Sequence, residues 1–259
     1  GEGEVAFREL ASALLAGRVP GEKVIEGNPP ELSELALPYS AYTDADIAHR
    51  TLYVETSRGC PFKCEFCLSS LEPCVREFPL APFFGAVEAL MARGARQFKF
   101  VDRTFNLREE RVLAILDFFH ARLREGMRIH FELVPDRLSP RTLTRMADFP
   151  AGVLRLEVGV QTFNPQTQEA ISRVQDMDET IATLRFLREQ TGARLHADLM
   201  LGYSYNRYSS NRRIVFGGIN RIAAADYDGH QLSGLVSAAY RFKPQSALYL
   251  EPVAGIYMS

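Results

Sequence analysis

Three cysteines stand within eight residues of one another in the run SRGCPFKCEFC: Cys60, Cys64 and Cys67, spaced C-x3-C-x2-C. Thiolates are soft ligands that favour zinc and iron–sulfur centres. Three of them on one tight loop, with Gly59 and Pro61 shaping the turn, can hold three corners of a cubane iron–sulfur cluster and leave the fourth iron open for chemistry. The competing arrangement recruits Cys74, the last cysteine of the chain, and closes a tetrahedral zinc site with no vacancy, as in a binding module without catalysis. Zinc sites more often use paired C-x2-C knuckles, so the spacing favours the cluster. Because all four cysteines lie within 15 residues, they form a local device and not a disulfide framework. A reducing, cytoplasmic compartment is expected.

The elements around the loop follow a strand–helix alternation. Strand patterns of alternating or continuous apolar character fall at 52–57, 97–101, 128–134, 153–160 and 194–200. Helical stretches between them carry end signals. Gly94 follows an apolar helix over 83–93. Asn106 with Glu109 reads as a capping box ahead of the stripe Val112, Ile115, Leu116, Phe119 and Leu123. Ser139-Pro140 and Asn164-Pro165 each place a cap residue before a proline at the first helical position. Residues 4–16 read as a short amphipathic helix, and 17–48 as a Pro- and Gly-rich connector. The fold class is therefore α/β, a partial TIM-like (βα) barrel, with the cysteine loop at the C-terminal end of its first strand, where barrel chemistry sits.

Splitting each strand into its two faces sharpens this. One face is apolar: Phe98 and Phe100; Ile129, Phe131 and Leu133; Leu154, Leu156 and Val158; Leu195, Ala197 and Leu199. The other carries Tyr53, Glu55 and Ser57; Gln97 and Lys99; Arg128, His130 and Glu132; Arg155 and Glu157; Arg194, His196 and Asp198. A small barrel normally fills its inside with branched apolar side chains. Charges there imply a wet, ligand-holding interior, the alternative being an open sheet whose polar face meets solvent.

The cysteine motif after the first strand, with Phe66 beside its last cysteine, resembles the signature of radical S-adenosylmethionine enzymes. The longer string TDADIAHR, YVETSRGCPFKCEFCLSS, KFVDRTFN, HFELVPDRL, LEVGVQTFNP and HADLM, over about residues 45–200, resembles the branch that carries an upstream cobalamin-binding domain. The resemblance implies a [4Fe-4S] cluster on Cys60, Cys64 and Cys67, with its open iron binding the amino and carboxylate groups of S-adenosylmethionine. It implies reductive cleavage to methionine and a 5′-deoxyadenosyl radical that abstracts hydrogen from a small-molecule or peptide substrate, or a methyl transfer relayed by cobalamin. An electron donor such as flavodoxin or ferredoxin is the implied partner. By position, Asp102, Arg103, Glu157 and Gln161 are the implied ligands of the adenosyl group, and Phe66 lies near the adenine. Residues 1–48 are expected to follow a cobalamin-binding domain absent from this sequence, and 49–200 to form an incomplete radical core.

From about Leu201 the pattern changes to that of a short antiparallel all-β tail. The family usually continues into a turn of the type GLPGE and a sixth βα unit, whereas this chain reads LGYSYNRYSSNRRIVFGG. Two alternating stretches follow, at 231–242 and 247–258, and the string NRRIVFGGINRIAAADYDGHQLSGLVSAAYRF resembles the outer-membrane β-barrel of autotransporters. Composition marks the same boundary. Seven of the ten tyrosines lie in residues 201–259, fifteen of the seventeen phenylalanines before them, and the tail carries +3 against −5 for the rest. The overall charge of −2 gives no footprint for nucleic acid, and a membrane partner is expected only if the tail is a genuine barrel piece. An enzyme core and an exported barrel need different compartments, so a chimeric join near residues 200–204 is expected.

Overall fold

The computed structural model describes residues 2–205, 232–241 and 250–251. Helix α1 (Glu4–Leu15) leads into a connector with 3-10 turns at Leu32–Glu34 and Pro38–Ala41, then α2 (Asp44–His49) and β1 (Leu52–Val54). Two short strands, β2 (Ser57–Arg58) and β3 (Arg76–Glu77), bracket the cysteine loop. The alternation continues with α3 (Leu80–Ala92), β4 (Gln97–Phe100), α4 (Glu109–His120), β5 (Arg128–Leu133), α5 (Pro140–Ala147), β6 (Leu154–Gln161), α6 (Pro165–Ala170), α7 (Met177–Gln190) and β7 (Arg194–Tyr205). Strands β8 (Leu232–Arg241) and β9 (Leu250–Glu251) follow.

The main sheet has the order β1-β4-β5-β6-β7-β8-β9, parallel from β1 to β7 and antiparallel from there. All five strands expected from the alternation are present. Among the described residues the sheet is open, with β1 and β9 at its edges. The expected boundary at 200–204 lies inside β7, which runs unbroken to Tyr205 because the alternation of Leu199, Leu201, Tyr203 and Tyr205 carries on. β8 matches the stretch expected at 231–242; of the stretch at 247–258 only β9 is described, the rest lying outside the described residues.

The apolar strand face packs under α3 and α4 around buried phenylalanines of these elements, Phe83, Phe98, Phe100, Phe119 and Phe131. Phe100 is fully buried at the centre, 4.6 Å from Phe131, 5.5 Å from Phe105, 5.8 Å from Phe83 and 5.9 Å from Phe119 between ring centroids. Each such ring buries on the order of 150–250 Å² and dominates the packing energy. The caps at Ser139 and Asn164 form as their residues dictate, their side chains accepting from Thr142 N and Thr167 N. The capping box at Asn106 does not form. Asn106 is buried, donating to Val134 O at 2.7 Å and accepting from Val134 N at 2.8 Å. It mimics a peptide group and ties the β4–α4 loop to the end of β5, while α4 starts uncapped at Arg108.

Helix α1 buries no residue and is held by charge instead. Arg58 meets Glu2 at 2.7 Å, Glu4 at 2.6 Å and Glu55 at 2.9 Å, and Arg76 also pairs with Glu2. The free edge of β1 is closed differently. Tyr39 Oη donates to Glu55 O at 3.2 Å and accepts from Glu55 N at 2.8 Å, and Tyr42 Oη does the same with Tyr53 at 2.9 and 3.0 Å. Two phenol groups thus occupy the positions a neighbouring strand would take, blunting an edge that would otherwise template association.

Replacing both with Phe removes four hydrogen bonds without altering ring packing. The Tyr39→Phe/Tyr42→Phe protein is expected to lose about 2–4 kcal/mol in urea denaturation, at roughly 1 kcal/mol per bond, and to self-associate in light scattering; a monodisperse double variant of unchanged stability would contradict the edge-cap role.

Candidate functional site

The cysteine loop is built by tight local constraints. β2 and β3 pair antiparallel, Ser57 opposite Glu77 and Arg58 opposite Arg76, so the loop leaves and returns at one point. Gly59 begins it in the left-handed region at φ 91°, and a Cβ there would meet Cys74 O at 2.2 Å. Only glycine fits this crossing. Cys60 N donates to Glu72 O at 3.0 Å and Cys67 N to Cys64 O at 3.0 Å, folding the loop back on itself. Its far side is pinned to the segment after α6, where Glu65 N donates to Ile171 O at 3.0 Å and Ser172 Oγ to Glu65 Oε1 at 3.0 Å.

The loop is anchored beneath by Asp102. This carboxylate is completely buried at the end of β4 and accepts from Thr56 N at 2.9 Å, Thr56 Oγ1 at 2.6 Å and Ser57 Oγ at 2.6 Å. Burial raises its pKa, while the three hydrogen bonds work to hold it ionised. The expected ligand role differs from what the geometry provides: every contact of the Asp102 side chain is spent on fastening the start of the cysteine loop, and the residue does not line the cavity above.

That cavity, about 160 Å³, brings Cys60, Cys64 and Cys67 together with Phe66, Arg103, Glu157 and Gln161. Four of the five residues expected at the adenosyl group therefore face the three thiols. Glu132, Asp198 and Arg173 complete its polar wall. Its lining comes from the ends of β4, β5, β6 and β7 and the loop after β1. Cys74 is exposed and outside the cavity. Among the described residues no three His, Cys, Asp or Glu side chains converge on a single ion. A closed tetrahedral site does not fit this arrangement, whereas three thiols ringing a cavity suit a cluster larger than one metal ion.

Electrostatics divide the wall. Glu157 accepts from His130 at 3.0 Å and sits 3.6 Å from Lys99. The His130 hydrogen bond, aided by Lys99, lowers its pKa to about 2, so it is a fixed anion. Glu132 and Asp198 move the other way, raised by burial. For Glu132 the nearby Glu157 charge adds to this, although Arg103 at 3.5 Å opposes it. Burial also raises the Cys60 thiol, and a bound metal reverses that preference because ligation requires the thiolate. Arg103 pairs with Glu132 rather than with Asp102, and Glu157 with Lys99 and His130 rather than with Arg155 or Arg194.

Arg173 lines the cavity and was not among the residues expected from the sequence. Its Nη1 lies 3.7 Å from Cys64 Sγ and its Nη2 donates to Gly159 O at 2.5 Å. The available signal was its position in the connection after the fourth parallel strand, on the face where barrel enzymes place functional loops. Gln161 is held at φ 67° beside a register shift in the β6–β7 pairing, which aims its side chain into the cavity mouth.

The Gly59 crossing supplies a test. Gly59→Ala is expected to destabilise the metal-free protein by about 2 kcal/mol or more and to abolish most iron loading. Gly94→Ala, with φ 106° but nothing within 4 Å, should cost only the conformational share. Equal losses in the two variants, measured by urea denaturation and bound iron, would show that the crossing places no constraint on the loop.

Comparison with known proteins agrees with this geometry. Residues 54–207 match the Radical SAM superfamily, and residues 182–259 match the Autotransporter beta-domain, so the two matches overlap through the second half of α7 and β7. The chain is 35% identical over 100 residues to the oxygen-independent coproporphyrinogen III oxidase of Bradyrhizobium diazoefficiens, which covers 35% of this chain and 22% of that protein. It superposes on the cobalamin-dependent S-adenosylmethionine radical enzyme OxsB with a TM-score of 0.58 at 18% identity, over 76% of this chain and 32% of that one. The radical S-adenosylmethionine methyltransferase TsrM from Kitasatospora setae gives 0.55 at 18% identity, over 76% and 44%. This chain thus spans less than half the length of each of these proteins. No helix among the described residues is long and apolar enough to cross a membrane. With more than half its length matched to one family, and three cysteines in one cavity at the strand ends, this chain belongs to the radical SAM superfamily.

Proposed function

We propose that residues 49–200 form the catalytic core of an enzyme that reductively cleaves S-adenosylmethionine. The observation that carries this reading is the shared cavity of Cys60, Cys64 and Cys67 with cations and carboxylates at the strand ends. A [4Fe-4S] cluster held by the three thiolates would supply the electron for sulfonium cleavage, yielding methionine and a 5′-deoxyadenosyl radical, on accepting that electron from a flavodoxin- or ferredoxin-class donor. The protein's own residues do the rest. Arg173, its Nε on Gln175 and its Nη2 on Gly159 O, holds Nη1 beside Cys64 and offers a positive charge to the carboxylate of S-adenosylmethionine. Glu157, kept ionised by His130 and Lys99, accepts from the amino group or ribose hydroxyls. Gln161 supplies a neutral amide at the mouth, and Phe66 an aromatic face for the adenine. Arg103 holds Glu132 in place at the opposite wall.

The radical would abstract hydrogen from a substrate, and, where an upstream cobalamin-binding domain precedes residues 1–48, that substrate radical could receive a methyl group supplied by a second S-adenosylmethionine by way of cobalamin. An oxygen-sensitive centre of this kind belongs in the cytoplasm. Anaerobic reconstitution with iron and sulfide is expected to give about four iron atoms per chain and a broad visible absorption, lost in Cys60→Ala, Cys64→Ala and Cys67→Ala but retained in Cys74→Ala. A colourless protein holding stoichiometric zinc would overturn the assignment.

A second reading concerns residues 201–259 alone. The match of residues 182–259 to the Autotransporter beta-domain, which overlaps the radical SAM match as far as residue 207, and the antiparallel pairing of β7 with β8 support reading the tail as an outer-membrane barrel piece, and the change of sequence pattern puts the join near residues 200–204. Amplification of the locus from source DNA across that point is expected to fail or to yield two separate reading frames. One continuous native product would remove the chimera.

A further inference from the structure

The geometry points to a second binding site, at the end of the sheet opposite the cysteines, for a small multivalent oxyanion such as a phosphate ester or a polycarboxylate, held by Arg128, Arg155 and Arg194. These three arginines stand on neighbouring strands β5, β6 and β7 and share the interior face. Arg155 and Arg194 are directly opposite in the β6–β7 register, and Arg128 is one step diagonal across β5–β6. Each layer of this face nearer the cysteines is compensated: Lys99 and His130 by Glu157, His196 by Asp198, and Arg103 by Glu132. The arginine layer is not. Among the described residues none of the three forms an ion pair. Arg155 Nε is buried with no hydrogen-bond acceptor. Burial and the charges of Arg128 and Arg194 lower the Arg155 pKa, the signature of repelling cations.

Stacked like charges and an orphaned buried donor are costs that a bound anion relieves together. There is room for one. Arg128 and Arg194, both exposed, line a cleft of about 520 Å³ between the turns at Gly126 and Gly152, within the size range of small-molecule sites, and Arg155, on the strand between them, lies just outside that lining. Glu125 also lines it but forms no ion pair among the described residues, and Arg124 is tied to Met91 O at 3.3 Å. The three arginines lie two to four residues down the strands from Glu132, Glu157 and Asp198 of the cysteine cavity, roughly 7–13 Å at ~3.3 Å per residue, and the two cavities share no lining residue. The barrel's N-terminal face ordinarily serves stability, and three uncompensated cations work against that role.

Isothermal titration of the full 259-residue protein with pyrophosphate and, separately, citrate at constant ionic strength tests the site. Saturable one-to-one binding is expected; tighter pyrophosphate identifies a phosphate ester and tighter citrate a polycarboxylate. Arg155→Gln and Arg194→Gln should each weaken binding at least tenfold, whereas Arg122→Gln, whose guanidinium meets Glu88 at 3.0 Å, leaves it unchanged. Thermal melting gives a second readout: the anion raises the wild-type Tm but not that of either variant, and Arg194→Gln alone suffices if Arg155→Gln does not fold. No saturable binding of either anion, or affinity unaltered by both substitutions, overturns the proposal.

Discussion

The buried carboxylate of Asp102 is the interaction on which the rest of the site depends. An ion this deep is tolerated only when its lone pairs are filled. Thr56 and Ser57 fill them with one backbone and two hydroxyl donors. The same three bonds join the C-terminal ends of β1 and β4 and fix the point from which the cysteine loop departs. Gly59 then turns the chain, the β2–β3 pair closes the loop, and the segment after α6 presses it from the far side. A structural charge thus does the positioning, which leaves the cavity's own charges free for a ligand.

The sheet inverts the usual division of labour in a barrel. Its phenylalanine-rich outer face supplies the cohesive energy against α3 and α4, so its inner face can be polar without forfeiting a core. Near the cysteines the inner charges are arranged as acceptors and donors of differing proton affinity: Glu157 ionised, Glu132 and Asp198 inclined to keep a proton longer. A wall of three identical carboxylates acquires distinct chemical roles from its neighbours, the pattern by which acid and base functions separate within one site.

Much of this was legible in the sequence, and the exceptions have physical reasons. Thiol spacing is a local property, and the two-faced strands declare themselves through period-two alternation, so the cysteines, the five parallel strands and the polar interior could be read directly. Phe66 was implied by its place beside the last cysteine, and Arg103, Glu157 and Gln161 by the family resemblance at strand-end positions. Asp102 shares that position, but a strand end does not reveal whether a carboxylate turns up into the cavity or down into the fold. Asn106 carried a helix-cap pattern that the buried backbone of Val134 outcompeted. The two-residue strands β2 and β3 are too short to show any periodicity. Arg173 reaches Cys64 only because the segment after α6 folds back across the loop, a long-range event with no local mark.

Tyr39 and Tyr42 give the sheet a direction of growth. With the outer hydrogen-bonding positions of Tyr53 and Glu55 filled by phenols, that side is closed to pairing there, and among the described residues the sheet extends at the margin beyond β6. Any segment that follows α7, whatever its ancestry, is steered to the same margin and needs only alternating residues to be accepted there. A sheet sealed on one side therefore discriminates poorly about what completes it on the other. That permissiveness lets β7 pair parallel with β6 on one side and antiparallel with β8 on the other.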